Sequence, residues 1–134
     1  MGNSPTTLKF SVPAIPISYN KCFKIIWSFR KTMLSQEAIQ FKDLVKQCMP
    51  QWQDNPNGLY SINIYIYYNW LFKNGKLRKL DVQNLDKLVV DAVFEQGGVD
   101  DSHVVVEKVQ KIQSRVEVRT DVEVWQVGVV GDLK

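Results

Sequence analysis

Ser61-Ile62-Asn63-Ile64-Tyr65-Ile66-Tyr67-Tyr68-Asn69-Trp70, followed at residues 80–98 by LDVQNLDKLVVDAVFEQGG, is the stretch on which the fold turns. In the first part Ile62, Ile64, Ile66, Tyr68 and Trp70 alternate with Ser61, Asn63, Tyr65, Tyr67 and Asn69, as in a strand with one covered face. In the second part Leu85, Leu88, Val89, Ala92 and Val93 recur at helical spacing, which predicts a helix from about Val82 to Gln96. Gly97-Gly98 ends it. Between the two lies a basic loop, Lys73 to Lys79, that carries Gly75.

Upstream, Asp54-Asn55-Pro56-Asn57-Gly58 is a turn cluster. Before it, Ser35 is an N-cap for a helix on which Phe41, Leu44, Val45 and Cys48 share a face, ending ahead of Pro50. Tyr19 to Met33 mixes bases with aromatics and reads as a loop or short hairpin. Leu8 to Val12 is a short first strand, and Pro13 and Pro16 force an irregular connection after it. Downstream, Val104–Ile112 and Val116–Val127 are two strands joined by a short turn. In the second, Val116, Val118, Val122 and Val124 oppose Glu117, Arg119, Asp121 and Glu123. Gly128 to Lys134 reads as a frayed tail. The order β-(loop)-α-β-α-β-β predicts an α+β domain, a small mixed sheet with both helices packed on one face. One domain spans residues 1–134, with its core at about 8–126 and flexible tails.

Composition agrees with one folded domain. The 134 residues are 45% hydrophobic and 11% aromatic with a net charge of only +3, which argues against disorder. No apolar run reaches the roughly 20 residues a membrane helix needs. The start, Met1-Gly2-Asn3-Ser4-Pro5, lacks the features of a secretory signal. Cys22 and Cys48 are too few for a disulfide framework and are expected as free buried thiols. The expectation is a soluble, cytoplasmic protein with no membrane contact. Its charge is unevenly placed: eleven basic and three acidic residues up to Leu80, then six basic and eleven acidic. The first part suits a polyanion, and the second suits a solvated face or a cation site.

On the second helix Asn84, Lys87 and Asp91 fall within roughly 60° of one another, beside the apolar stripe. Asp81 stands just ahead of the helix and Asp100-Asp101 just after it, some 20 Å apart along a helix of about 14 residues unless the chain folds back. Phosphodiester hydrolysis needs a cation, and Mg²⁺ prefers hard carboxylate oxygens. A lysine nearby stabilises charge on the phosphate, and Lys73, Lys76, Arg78 and Lys79 lead directly into Asp81, where they would grip a DNA backbone. The competing account is structural throughout. Asp81 caps the helix, Lys87 and Asp91 pair at i, i+4, Asp100-Asp101 make a turn, and the basic loop is simply solvated. His103, the sole histidine, either orients a water or phosphate or is merely exposed at a strand start. Tyr19, Phe23, Trp27 and Phe29 either stack on unpaired bases or pack in the core or a dimer contact.

The spacing Asp81-x-x-Asn84-x-x-Lys87-x-x-x-Asp91-Ala92, then a glycine turn and Asp100-Asp101-x-x-Val104, resembles the signature of the RusA family of Holliday-junction resolvases. Phe10-Ser11-Val12-Pro13-x-x-Pro16-x-Ser18-x-Asn20 is similar to its opening strand and turn, and Leu34-Ser35-x-Glu37-Ala38-x-x-Phe41 to its first helix. The resemblance covers about residues 8–126. It implies a RusA-like fold and a homodimer acting on four-way DNA junctions in recombination and repair. It also implies a Mg²⁺-dependent endodeoxyribonuclease, with Mn²⁺ as the alternative cation, leaving paired nicks with 5′-phosphate and 3′-hydroxyl ends. Asp81 then matches the first metal-binding aspartate, Asp101 the distal one and Lys87 the catalytic lysine. Asp100 is the acidic neighbour of the distal ligand, and Asn84 joins Lys73, Lys76, Arg78 and Lys79 as a DNA contact. Where the family usually has a second aspartate, this chain has Gln83, which offers a carbonyl oxygen to the metal but no charge. Asp86 is the obvious substitute, yet it points about 100° away from Lys87. A resolvase is the first expectation. Its rivals are a junction-binding protein with lost or weakened cleavage, and a small interaction module with no nucleic-acid role.

Overall fold

The computed structural model describes residues 7–17, 23–26, 31–52, 55–79, 82–98 and 100–133; at 7, 23–26, 31–33 and 82–84 it describes the backbone. The elements are β1 (Thr7–Val12), β2 (Phe23–Ile26), β3 (Lys31–Leu34), α1 (Gln36–Cys48), β4 (Gly58–Tyr68), α2 (Val82–Gly97), β5 (Val104–Gln113) and β6 (Arg119–Val129). β1, β6, β4 and β5 form one mixed sheet in that order, with β4 and β5 parallel and the other pairs antiparallel; β2 and β3 make a separate hairpin. The predicted α+β architecture is therefore the observed one, and the hairpin falls within the segment read as loop or hairpin.

Local chemistry sets the element ends. Ser35 caps α1, its hydroxyl accepting the Ala38 N–H at 3.3 Å. Gly98 closes α2 at φ +80°, a left-handed conformation that glycine adopts without a Cβ clash, and its N–H reaches the Phe94 carbonyl at 3.0 Å. The Pro13-Ala14-Ile15-Pro16 connection is tied to the sheet because the fully buried Thr120 hydroxyl donates to the Ala14 carbonyl at 2.8 Å.

The core lies between the sheet and the two helices. Ile62, Ile64 and Ile66 of β4 and Val122 and Val124 of β6 meet Leu85, Leu88, Val89, Val93 and Phe94 of α2 and Phe41 and Val45 of α1. Trp70 is 2% exposed and its indole N–H donates to the Ile66 carbonyl at 3.1 Å, which lets its polar end enter the core.

Four expectations need correction. β5 and β6 are the two expected strands with a short connection, but they are not neighbours: β4 lies between them, so residues 114–118 cross over the sheet end. Val116 and Val118 precede β6 and are solvent-exposed, Val116 at 91%; only Val122 and Val124 of the expected apolar row are buried. The apolar alternation overran the strand because nothing in it marks where pairing begins. The C-terminus is also more structured than a frayed tail. β6 continues to Val129, and the 3₁₀ turn Val130–Asp132 is tied to the 55–58 turn by Val130 N–H donating to Asn57 O at 2.7 Å. Cys48 is a free thiol, half-buried rather than buried, and Cys22 lies outside the described residues.

Candidate active site

Because β4 and β5 run parallel, α2 must cross from the end of one to the start of the other. This crossover brings the helix's polar row against β5. The return is the fold-back that the sequence requires if Asp100-Asp101 are to approach the helix. It is made by a 3₁₀ turn, Asp101–His103, directly ahead of β5. Asp100 is its N-cap and accepts the Ser102 N–H at 2.8 Å. His103 Nδ1 donates to the Gly58 carbonyl at 2.8 Å, fastening the turn to the start of β4. His103 thus works as a brace rather than an idle surface group.

Between α2, the turn and β5 lies a cleft of about 360 Å³ lined by Lys87, Val90, Asp91, Asp101, Val104, Val105 and Glu107. Two residues singled out from sequence as catalytic, Lys87 and Asp101, line it together. Asp91, on the same helical row as Lys87, joins them. Its carboxyl is pushed above the usual range, first by burial and then by the facing Asp101 carboxylate, with which it lies within hydrogen-bonding reach. Lys42 of α1 opposes that rise while ion-pairing with Glu95. Asp100 differs. It is exposed at the rim, and its carboxyl is held below the usual range chiefly by the Ser102 backbone N–H it caps.

Glu107 is the residue that the sequence reading missed. The β4–β5 register shifts between Tyr60↔Val104 and Ser61↔Val106, so Val105 is an extra residue in β5. Past this bulge Glu107 pairs with Ile62 and faces the helices, three positions from Val104 on the same side. Although the residue as a whole is exposed, its carboxyl is pushed up to about 7, first by partial burial and then by the hydrogen bond and repulsion from Asp86, with Lys87 opposing. Asp86 itself is 6% exposed, and its Oδ1 has no hydrogen-bond partner among the described residues.

Asp81 lies outside the described residues, and of Gln83 and Asn84 only the helical backbone is described. Tyr19, Trp27 and Phe29 lie outside them too, and of Phe23 only the backbone is described. Among the described residues no three His, Cys, Asp or Glu side chains converge on one cation position. The facing carboxyls of Asp91 and Asp101 nevertheless suit a hard divalent cation, which would relieve the same repulsion that raises the proton affinity of Asp91.

The basic loop is a braced structure. Leu71 and Leu77 form a bridge, Phe72 N–H donates to Lys76 O at 2.8 Å, and Gly75 takes φ +83° at the tip. Lys73, Lys76 and Lys79 project into solvent. Arg78 is instead built into the loop, donating from Nε to the Asn69 carbonyl at 2.8 Å with its guanidinium 4.5 Å from the Phe72 ring centre.

Comparison with known proteins accords with this geometry. No curated protein matches the chain. The family model described as endodeoxyribonuclease RusA matches residues 18–125 of the 134, a span that includes α1, β4, the basic loop, α2, the 3₁₀ turn and β5. With most of its length inside that match and the cleft wholly within it, this chain belongs to the RusA family of endodeoxyribonucleases.

Proposed function

We propose that the chain is a Holliday-junction resolvase, a divalent-cation-dependent enzyme that places paired nicks in four-way DNA junctions. The observation that carries this reading is the meeting of Lys87, Asp91 and Asp101 on one cleft, along a helix that follows a loop projecting three lysines. Asp91 and Asp101 would hold Mg²⁺, or Mn²⁺ in its place, with Asp100 as a further oxygen donor; Asp81 and the Gln83 carbonyl, near the start of α2 and about 12–15 Å of helix rise from Asp91, would contribute to cation binding from that end. When bound, the cation neutralises the phosphoryl oxygens and acidifies an attacking water. Lys87 offsets the charge that builds on the phosphate, and Lys73, Lys76 and Lys79, with Asn84, hold the flanking backbone. Arg78 stiffens the loop they stand on. A two-fold homodimer matches a junction that presents two equivalent strands. Among the described residues no helix is long and apolar enough to cross a membrane, which is compatible with cytoplasmic work on DNA.

A labelled synthetic four-way junction, incubated with and without Mg²⁺ and resolved beside a gel-shift lane, tests the reading. Symmetric Mg²⁺-dependent nicks are expected. Tight binding without nicks would favour a junction-binding protein weakened by Gln83, and Gln83→Asp should then restore cutting. Neither binding nor nicking would sink both and leave an interaction module.

A further inference from the structure

Glu107 and Asp86 are acids that the reading above leaves unused. Glu107 enters the cleft from β5 only because the bulge at Val105 turns it toward α2. Behind it stands Asp86, 6% exposed, with one carboxylate oxygen that no donor among the described residues reaches. The two carboxyl groups lie within hydrogen-bonding reach of each other, and the cation acting on Glu107 is Lys87. A buried carboxyl with a bare oxygen beside a second carboxyl opposes folding, and an apolar residue at either place would pack at lower cost. A glutamate crowded in this way does have one chemical competence: it keeps a proton that an ordinary glutamate would have released, and can give it up near neutrality.

We propose that Glu107 is the proton acceptor for the water that attacks the phosphodiester, and that Asp86 is the positioning residue that holds it ready. The inference rests on the nuclease reading. In the step, the water oxygen forms the new bond to phosphorus while its proton passes to a Glu107 carboxylate oxygen. The bond from phosphorus to the 3′ oxygen breaks with its electron pair on that oxygen, which takes a proton from solvent. Glu107 then returns its proton to bulk water. The groups that face Glu107 are Asp86 and Lys87 of α2 beside it, and Asp91 and Asp101 across the cleft; its neighbour on β4 is the uncharged Ile62. Burial and Asp86 hold the Glu107 carboxyl at about 7, so it exchanges a proton near neutrality where an ordinary glutamate would be fully ionised and a weak base.

The experiment is single-turnover nicking of the four-way junction at saturating Mg²⁺ across pH 5–9, for wild type, Glu107→Gln and Asp86→Asn. Gel-shift affinity and melting temperature are measured on the same preparations, and the glutamate carboxyls are titrated by NMR without DNA. Glu107→Gln should cut about 100-fold more slowly with junction affinity unchanged, and lose the rise in rate through neutral pH. Asp86→Asn should move that rise, and the slow-titrating glutamate signal, to lower pH. Both variants should melt no lower than wild type, because each relieves a crowded carboxyl pair. Wild-type rates and an unchanged pH profile in Glu107→Gln would overturn the proposal while leaving the nuclease reading intact. Lower melting temperatures, or equal losses of rate and affinity, would also overturn it by making the pair structural. A wild-type protein that cuts nothing would instead remove the nuclease reading, and this step with it.

Discussion

Glu107→Gln should make the protein more stable in alkaline buffer and leave it unchanged in acid. The Glu107 carboxyl sits at about 7 in the folded chain against an ordinary value of 4.5. Between those two values the folded protein holds a proton that the unfolded chain has released. The associated stability is therefore complete below about pH 4.5 and lost as pH rises through about 7. A gap of about 2.5 units corresponds to roughly 3.4 kcal/mol if the carboxyl were sealed from water. It opens onto a solvent-filled cleft, and screening reduces this to about 1–2 kcal/mol. Glutamine keeps the shape and cannot ionise, so it escapes the penalty. In a chain of this size the difference is about 3–6 °C in melting temperature. Thermal melts of wild type and variant in chelator-containing buffer at pH 5 and pH 8 measure it. The expected result is a difference of no more than about 1–2 °C at pH 5 and a variant melting about 3–6 °C higher at pH 8. The same gap at both pH values, or a variant less stable at pH 8, would refute the idea that a crowded, desolvated carboxyl sits there.

Lys87→Ala should lower the nicking rate far more than junction affinity, and equal losses in single-turnover and gel-shift assays would reduce it to a backbone contact. Replacing Lys73, Lys76 and Lys79 together by Gln should weaken junction binding and flatten the slope of log affinity against log salt by about two to three units; an unchanged slope would place the DNA surface elsewhere. Ile64→Ala, at a fully buried position between the sheet and α2, should cost about 3–4 kcal/mol in urea unfolding, and a loss under about 1 kcal/mol would mean that the layer is not packed as described.

Much of this fold was legible because its signals were periodic and repeated. The alternation through Ile62, Ile64 and Ile66 and the helical row through Leu85, Leu88 and Val89 mark faces that are in fact buried. Ser35 and Gly98 act as local punctuation. The strand order was less legible, because both strands after α2 have the same apolar pattern and only long-range pairing puts β6 between β1 and β4. At the site, the helical row brought Lys87 and Asp91 together on paper, and the structure adds Asp101 through the crossover. Glu107 was hidden by Val104-Val105-Val106: strict alternation from Val104 puts residue 107 on the opposite face, and three identical side chains give no sign of which residue bulges. Asp86 was set aside for its angle from Lys87. That angle turns out to carry it inward, beneath β5, to the carboxyl it meets.

The bulge at Val105 also makes the cleft unusually sensitive to the length of the chain. Loss of one codon within the valine triplet would leave a regular ladder with β4 and an almost unchanged protein in composition and charge. Yet every residue of the strand's start would exchange faces relative to its end, and either Val104 or Glu107 would leave the helices. Among the described residues β5 lies at the sheet's edge and pairs with β4 alone, so no second strand there resists such a change in frame. A single-residue deletion between 104 and 106 would thus be enough to remove an acid from the cleft without altering any residue on α2.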